Sequence, residues 1–226
     1  MPIQDPLEMN ETLERVVAKL TDSKEYRNQF IRAFNTDTIT PDLMSLAMEQ
    51  FMNTIISGSS TFDRVERGEA SFSASEQRGR DLFFGEVDPN SGKVGGECFH
   101  CHGGVNFSNS QFMNNGLDSE PEFTDLGRFT VTQNPADRAR FITTSLRNIA
   151  LTPPYMHDGR FSTLEEVVEH YNTGVKRSPT LELPLMQFNI RPGGLGLSAQ
   201  DKTDLVAFLR TLTDTELTSD PAFSKP

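Results

Sequence analysis

The chain has 226 residues, of which 35% are hydrophobic and 23% are charged, a balance typical of a globular protein with one large domain or two small ones. With 21 Lys and Arg against 32 Asp and Glu, the net charge is −11, which is the wrong sign for binding a nucleic-acid backbone. We expect no membrane span and see no signal-peptide pattern, because no run approaches the roughly 18 apolar residues that a spanning helix needs.

Three helices are predicted in the first quarter of the chain. Apolar residues recur at helical spacing over residues 10–20 and again over residues 24–34. A third helix is expected to begin at Thr40-Pro41 and to run toward Ile55, since threonine is a good N-cap and proline suits the first helical turn. The methionines of this helix are interpreted as core residues; they are Met44, Met48 and Met52.

The remaining elements are marked by capping patterns. Ser73 followed by Glu76, and Thr163 followed by Glu166, are capping boxes that predict a helix after each. A last helix is expected from Ser198. Residues 103–141 lack periodicity and are interpreted as a long irregular wrap, which in a compact domain indicates a functional segment or one that packs on something bulky. No strand alternation is evident, so the predicted class is all-α.

Both cysteines lie in the segment Cys98-Phe99-His100-Cys101-His102. Two thiols at this spacing, with an imidazole directly after the second, form the attachment signal of a c-type haem. A zinc site would need a second pair of ligands, and His157 and His170 lie far off in unsuitable contexts. A thioredoxin-like dithiol would need a βαβ setting, and chance occurrence on a loop is the remaining alternative. We therefore predict one covalent haem c.

A longer pattern supports this interpretation. Residues 144–161 read Thr-Ser-Leu-Arg-Asn-Ile-Ala-Leu-Thr-Pro-Pro-Tyr-Met-His-Asp-Gly-Arg-Phe and continue through the second capping box. This stretch resembles the second haem domain of the bacterial di-haem cytochrome c peroxidase and MauG family. The opening residues 2–9 resemble the segment that follows the first haem site in those proteins. The resemblance implies a cytochrome c-like haem domain at 64–226, preceded at 1–63 by a helical remnant or connector of a first haem domain.

The axial ligands follow partly from spacing and partly from the resemblance. His102 is the proximal ligand by its place in the motif. In the cytochrome c peroxidases, the second haem takes a Met fourteen residues after the His of the Tyr-x-His-Asp-Gly motif; counting from His157 gives Tyr171, and the MauG branch is known for a tyrosinate there. Tyr171 shares the apolar stripe of its helix, whereas His170 is expected on the solvated side. Met156 is the strongest alternative ligand, and a structural role for Tyr171 as a core aromatic stays open. The other candidates considered are Met113 and Met186.

Further site residues are predicted around the haem edge. Arg160 is expected to pair with a propionate, because guanidinium groups suit carboxylates. His157 is either a core histidine or a group that takes part in electron or proton transfer. The resemblance also implies that the carbonyls of Thr152 and Pro154 help to hold a calcium ion between two haems.

The predicted function is that of the electron-relaying haem portion of a di-haem peroxidase, which carries out peroxide-dependent one-electron oxidation. The expected partners are an upstream haem domain or subunit, hydrogen peroxide, and an electron-donor protein or a protein substrate. Haem attachment of this kind implies a periplasmic location, and the chain is expected to be the C-terminal portion of a larger protein or the product of a split gene. The alternatives are a mono-haem electron carrier without catalysis of its own and, more remotely, a haem-free interaction module.

Overall fold

The computed structural model describes residues 2–223 and divides the chain into two compact units, Met1–Ile56 and Ser57–Pro226. The first unit contains the three predicted helices, α1 (Leu13–Asp22), α2 (Lys24–Phe34) and α3 (Pro41–Thr54). The hydroxyl of Thr40 accepts a hydrogen bond from the Leu43 amide, which confirms the predicted N-cap of α3.

The methionines of α3 differ in burial. Met44 is buried, together with Phe30 and Ile39 of the same unit, but Met48 is 48% exposed and Met52 is 65% exposed. The prediction of three core methionines was therefore wrong for the second and third. Helical spacing indicates that an apolar face exists, but it does not say whether the chain covers that face.

The second unit is built around two crossing helices, α5 (Ala74–Phe83) and α9 (Ala199–Arg210), and also contains α7 (Leu164–Glu169). The shorter helices of this unit are α4 (Thr61–Glu66), α6 (Phe129–Thr132), α8 (Leu183–Met186) and α10 (Thr215–Ser219). Both predicted capping boxes are present, at Ser73 before α5 and at Thr163 before α7. The sequence thus located the long helices through their own local caps.

The crossing of α5 and α9 requires a glycine. A Cβ atom built on Gly79 would lie 1.9 Å from the carbonyl oxygen of Asp204, so the two helix backbones touch at this point. Around it lies a cluster of aromatic rings, here called the phenylalanine cluster, with ring centroids 4.9–6.5 Å apart. Its members are Phe62, Phe72, Phe83, Phe84, Phe99, Phe107 and Phe208.

The segment between α5 and α7 is mostly irregular, as predicted, and carries one small antiparallel sheet. Strand β1 (Phe112–Met113) pairs with β2 (Phe141–Ile142), with Phe112 opposite Ile142. Two-residue strands are too short to show alternation in a sequence, which explains why none was predicted. The chain remains all-α in class.

Residues 57–63 belong to the second unit, although the prediction assigned them to the first segment. The Phe62 amide donates to the Thr211 carbonyl, and the Asp63 carboxylate accepts two hydrogen bonds of 3.0 Å from Arg147. In the described part of the chain, no helix combines the length and the apolar character that crossing a membrane requires.

Candidate functional site

Cys98 begins a short 3-10 turn, Cys98–His100, and Cys101 is the residue that ends it. The amides of Cys101 and His102 both donate to the Cys98 carbonyl, and Phe99, between the cysteines, belongs to the phenylalanine cluster. Both thiols are free and partly buried. Burial raises the pKa of Cys98 to about 12 and that of Cys101 to about 11, so both are protonated at neutral pH. The turn thus presents two neutral thiols on a fixed backbone.

The imidazole of His102 is anchored by its Nδ1 atom. This nitrogen lies 3.1 Å from the Phe107 carbonyl oxygen, and because a carbonyl can only accept, Nδ1 is the donor. Burial lowers the pKa of His102, so the ring is neutral. A neutral ring with its proton on Nδ1 keeps the lone pair on Nε2, which is the arrangement that a metal-binding histidine needs.

Tyr171 lies on a single π-helical turn, His170–Gly174, that directly continues α7. Its ring packs against the apolar side chains of Val175, Leu181 and Met186. Burial raises the pKa of Tyr171 to about 12, although the hydrogen bond that Asn115 donates to the hydroxyl oxygen acts in the opposite direction. The phenol is therefore buried and keeps its proton at neutral pH.

Met156, the alternative ligand, and Tyr171 both accept a hydrogen bond from Asn115. The Nδ2 atom of Asn115 is 3.3 Å from the Tyr171 hydroxyl oxygen and 3.4 Å from the Met156 sulfur. Met156 is partly buried and has a left-handed φ of 73°. Of the other candidate methionines, Met113 is in β1, and Met186 is buried in the apolar group that packs against Tyr171.

His170 is buried, so the prediction that it faces solvent was wrong. Its Nε2 atom lies 3.2 Å from the Asn115 carbonyl oxygen, to which it donates. The prediction assumed a regular α-helix through residue 171, whereas the backbone widens to a π turn at His170. A π turn adds a residue to the turn and rotates the faces that follow, a feature often found at functional sites.

Arg160 and His157 lie on the exposed loop after Met156. The guanidinium of Arg160 donates to the carboxylates of Asp118 and Asp158, at 2.7 Å and 2.8 Å, and these bonds raise its pKa. Arg160 is thus already paired with two carboxylates of the protein, whereas the sequence analysis expected it to pair with a haem propionate. His157 is exposed and stacks on the Phe141 ring with a centroid distance of 3.7 Å.

Two other arginines carry buried donors that the sequence analysis did not identify. The Nε atoms of Arg138 and Arg140 are buried and have no hydrogen-bond partner among the described residues. Arg140 also forms an ion pair of 2.7 Å with Glu182, whose charge raises the pKa of Cys101. Orphaned buried donors of this kind indicate an acceptor that the protein itself does not supply.

Thr152 and Pro154 are exposed, at the turn before Tyr155. The Thr152 hydroxyl donates to the Ile149 carbonyl, 3.3 Å away. Within residues 2–223, no group of three or more His, Cys, Asp or Glu side chains is placed to hold a metal ion.

The donor set fits a c-type haem. Two neutral thiols, an imidazole with a free Nε2 lone pair, and a buried phenol or a thioether are the kinds of group that covalently attach this cofactor and ligate its iron. The buried Nε donors of Arg138 and Arg140, which have no acceptor among the described residues, fit its acidic side chains.

Comparison with known proteins gives a consistent result. The sequence profile of the family described as di-haem cytochrome c peroxidase matches residues 1–71. The methylamine utilization protein MauG of Methylorubrum extorquens is 35% identical over 94% of this chain, and the cytochrome c551 peroxidase of Nitrosomonas europaea is 33% identical over 94%. The crystal structure of a MauG-like protein associated with microbial copper homeostasis superposes with a TM-score of 0.80 at 34% identity, covering 98% of this chain and 68% of that one. The chain spans 56% of the length of each of the two curated relatives.

Proposed function

The chain belongs to the di-haem cytochrome c peroxidase and MauG family, and on that premise we propose that it carries one covalent haem c and forms the electron-relaying portion of a peroxidase. The observation that carries the proposal is the combination of two thiols on one short hydrogen-bonded turn, an imidazole anchored through Nδ1, and a buried phenol that shares the Asn115 amide with Met156. Each part of the donor set has a separate task.

Cys98 and Cys101 fix the cofactor, since each thiol adds across one vinyl C=C bond of the porphyrin. The phenylalanine cluster holds the turn that carries them and excludes water from that side. His102 binds iron through Nε2, with its ring orientation set by the Phe107 carbonyl. When bound, the haem supplies an iron atom that accepts and releases single electrons.

Tyr171 is the proposed sixth ligand. Its unligated pKa of about 12 means that the phenol keeps its proton at neutral pH until a cation stabilises the phenolate. The π turn holds the side chain among apolar neighbours, and its hydroxyl oxygen would ligate the iron of a bound haem.

Arg138 and Arg140 are the proposed partners of the propionates, in place of Arg160. Arg138 and Arg140 are ion-paired with Glu120 and Glu182 through their terminal nitrogens, but their buried Nε donors have no acceptor among the described residues. In Arg160, by contrast, both Nε and the terminal nitrogens are bonded to carboxylates. Thr152 and Pro154 remain proposed carbonyl ligands of a calcium ion, and His157 and Arg160 remain proposed contributors at the haem edge.

The complete protein is proposed to carry out peroxide-dependent one-electron oxidation of a small electron-donor protein or of a protein side chain. In that scheme, an upstream haem domain or subunit reacts with hydrogen peroxide, and the site described here stores and passes the electron. The proposed location is the periplasm, where thioether attachment takes place in bacteria.

The test of haem attachment uses the chain exported to a periplasm with haem-maturation proteins. Denatured wild-type protein should show a haem-stained band, and its mass should exceed that of the polypeptide by one haem. The double variant Cys98→Ala, Cys101→Ala should show no stained band and no added mass. A double variant that retains haem through denaturation would overturn the assignment.

His100 offers a matched control for the proximal ligand. It lies in the same motif, but its Nε2 atom is bonded to the Glu97 carboxylate, 2.9 Å away. His102→Ala should therefore abolish the six-coordinate spectrum, and His100→Ala should keep it. A peroxide assay separates the electron-relaying portion of a peroxidase from a mono-haem electron carrier. The relaying portion should turn over peroxide once an upstream haem domain is added. A chain that exchanges electrons but never turns over peroxide with any haem partner is a mono-haem carrier.

A further inference from the structure

The segment 114–116 is fixed from three directions. The Asn114 amide donates to the hydroxyl oxygens of Ser178 and Thr180 at 3.0 Å and 2.9 Å. The Asn115 carbonyl accepts from His170, and the Gly116 carbonyl accepts from the Lys176 amide at 2.7 Å. Gly116 has a left-handed φ of 67°, and a Cβ atom there would lie 2.5 Å from Val175. The backbone of this segment is thus held firmly against the π turn and the residues that follow it.

The side chain of Asn115 leaves this fixed segment toward the two candidate ligands. One nitrogen, Nδ2, lies within hydrogen-bond distance of both the Tyr171 hydroxyl and the Met156 sulfur, and an amide nitrogen has two hydrogens to donate. The hydrogen bonds of Asn114, by contrast, go to Ser178 and Thr180. The two neighbouring asparagines therefore have different roles: Asn114 anchors the segment, and Asn115 contacts the candidate ligands.

We propose that Asn115 is the positioning residue of the sixth-ligand site: its amide donates to the Tyr171 oxygen as that oxygen binds iron and holds the Met156 sulfur away from it. This inference rests on the proposed haem site. A hydrogen bond to an anionic ligand draws charge from it, so the ligand gives less to the iron and the ferric state is less strongly favoured. Asn115 thus raises the reduction potential above the value that an unbonded tyrosinate would give.

The test compares reduction potential and ferric spectrum in haem-loaded wild type, Asn115→Leu and Ser178→Ala. Asn115→Leu keeps the size of the side chain but removes both donors. Ser178→Ala removes one anchor of Asn114 and loosens the same segment without altering the Asn115 amide. We expect the potential to fall in Asn115→Leu and to stay near the wild-type value in Ser178→Ala. Equal shifts in the two variants, or no shift in Asn115→Leu, would overturn the proposal.

A double-mutant cycle checks that the effect passes through Tyr171. In a Tyr171→Phe background, the phenolate oxygen is gone, so the potential shift caused by Asn115→Leu should shrink markedly. A shift of undiminished size there would show that Asn115 acts by another route, and the proposal would fall. These outcomes are distinct from failure of the haem assignment, which appears earlier as wild-type protein without a haem-stained band and removes both proposals together.

Discussion

The Tyr171 hydroxyl lies in surroundings that oppose its ionisation. Burial raises its pKa to about 12, above the usual value of about 10, so iron has to displace a proton that the protein itself holds. An anionic oxygen ligand favours ferric over ferrous iron, and a His102/Tyr171 pair therefore implies a low reduction potential.

Replacing Tyr171 tests this directly. Tyr171→Met should raise the potential by a sizeable part of the roughly 0.8 V range that axial ligands cover, and should introduce the near-infrared band of sulfur bound to ferric haem. Tyr171→Phe should leave an open site that binds cyanide readily. Potentiometry and absorption spectra measure both, with Met156→Leu as the control that leaves the wild-type spectrum unchanged. A wild-type protein that already has the sulfur band and loses it in Met156→Leu would identify Met156 as the ligand.

At the residue scale, the sequence predicts candidate site residues that belong to a recognisable motif. It does not predict residues whose role depends on neighbours that are distant in the chain. The cysteines and His102 are recognisable from spacing alone. Asn115 belongs to no such motif, because its proposed role depends on a hydrogen bond to Tyr171, which is 56 positions later in the chain. Arg160 was assigned to a propionate on charge alone, and the two carboxylates that it binds could not be foreseen from its own segment.

Among the elements, the crossing of α5 and α9 gives a prediction in which two effects have opposite signs. Helix propensity alone favours Gly79→Ala by about 1 kcal/mol. The added Cβ would, however, lie 1.9 Å from the Asp204 carbonyl oxygen, so the helices must separate. We expect a net loss of about 2 kcal/mol in the free energy of unfolding, measured by urea denaturation. Gln77→Ala, on the exposed face of the same helix, is the control and should change stability little; a stabilised Gly79→Ala protein would contradict the close crossing.

The same crossing contains a pH-sensitive contact. The buried Asp204 carboxylate accepts from Arg78 and Gln200, and Ser75 donates to it as well. These bonds, led by that from Arg78, lower its pKa to about 2. A carboxyl with a depressed folded-state pKa stabilises the fold above its unfolded pKa of about 3.9 and loses that contribution as the pH falls toward 2.

Asp204→Asn should therefore be less stable than wild type at neutral pH, and the difference should narrow as the pH falls from about 4 to about 2. Thermal unfolding across this range measures it. Asp201→Asn, one helical turn earlier in α9, is the control, because Asp201 caps the helix through Ser198, whereas the hydrogen bonds of Arg78 go to Asp204. A difference between Asp204→Asn and wild type that stays constant with pH would exclude the carboxylate as its source.

Element boundaries were predictable where a local cap defines them. Ser73, Thr163 and Thr40 bind backbone amides within three residues, so their sequence neighbourhood contains the whole interaction. The π turn after α7 has no such local signal. Its backbone is widened where His170 and Asn172 become buried, and the Asn172 carbonyl accepts from Leu195, far along the chain.

For the whole molecule, the apolar residues of the two units have different surroundings. The second half of α3 and the residues just after it leave Met48, Met52 and Ile56 exposed, the last at 73%. Clustered exposed apolar side chains of this kind are uncommon on the surface of a monomeric soluble protein, and they favour association. By contrast, the clusters of buried apolar side chains around the helix crossing and beside Tyr171 consist of residues between 83 and 212, all in the second unit.

This contrast predicts that a shortened chain of residues 57–226 folds and attaches haem without the first unit. Its helix crossing, its phenylalanine cluster and every proposed ligand lie within that range, so the ferric spectrum and reduction potential should match those of the full chain. The full chain should self-associate with rising concentration in analytical ultracentrifugation, whereas the shortened chain should sediment as a monomer. The triple variant Met48→Ser, Met52→Ser, Ile56→Ser in the full chain is the matched control, and it should recover the monomer while keeping α3. A shortened chain that attaches no haem would show that the first unit contributes to the stability of the haem site, and a full chain that stays monomeric would show that its exposed apolar face does not drive association.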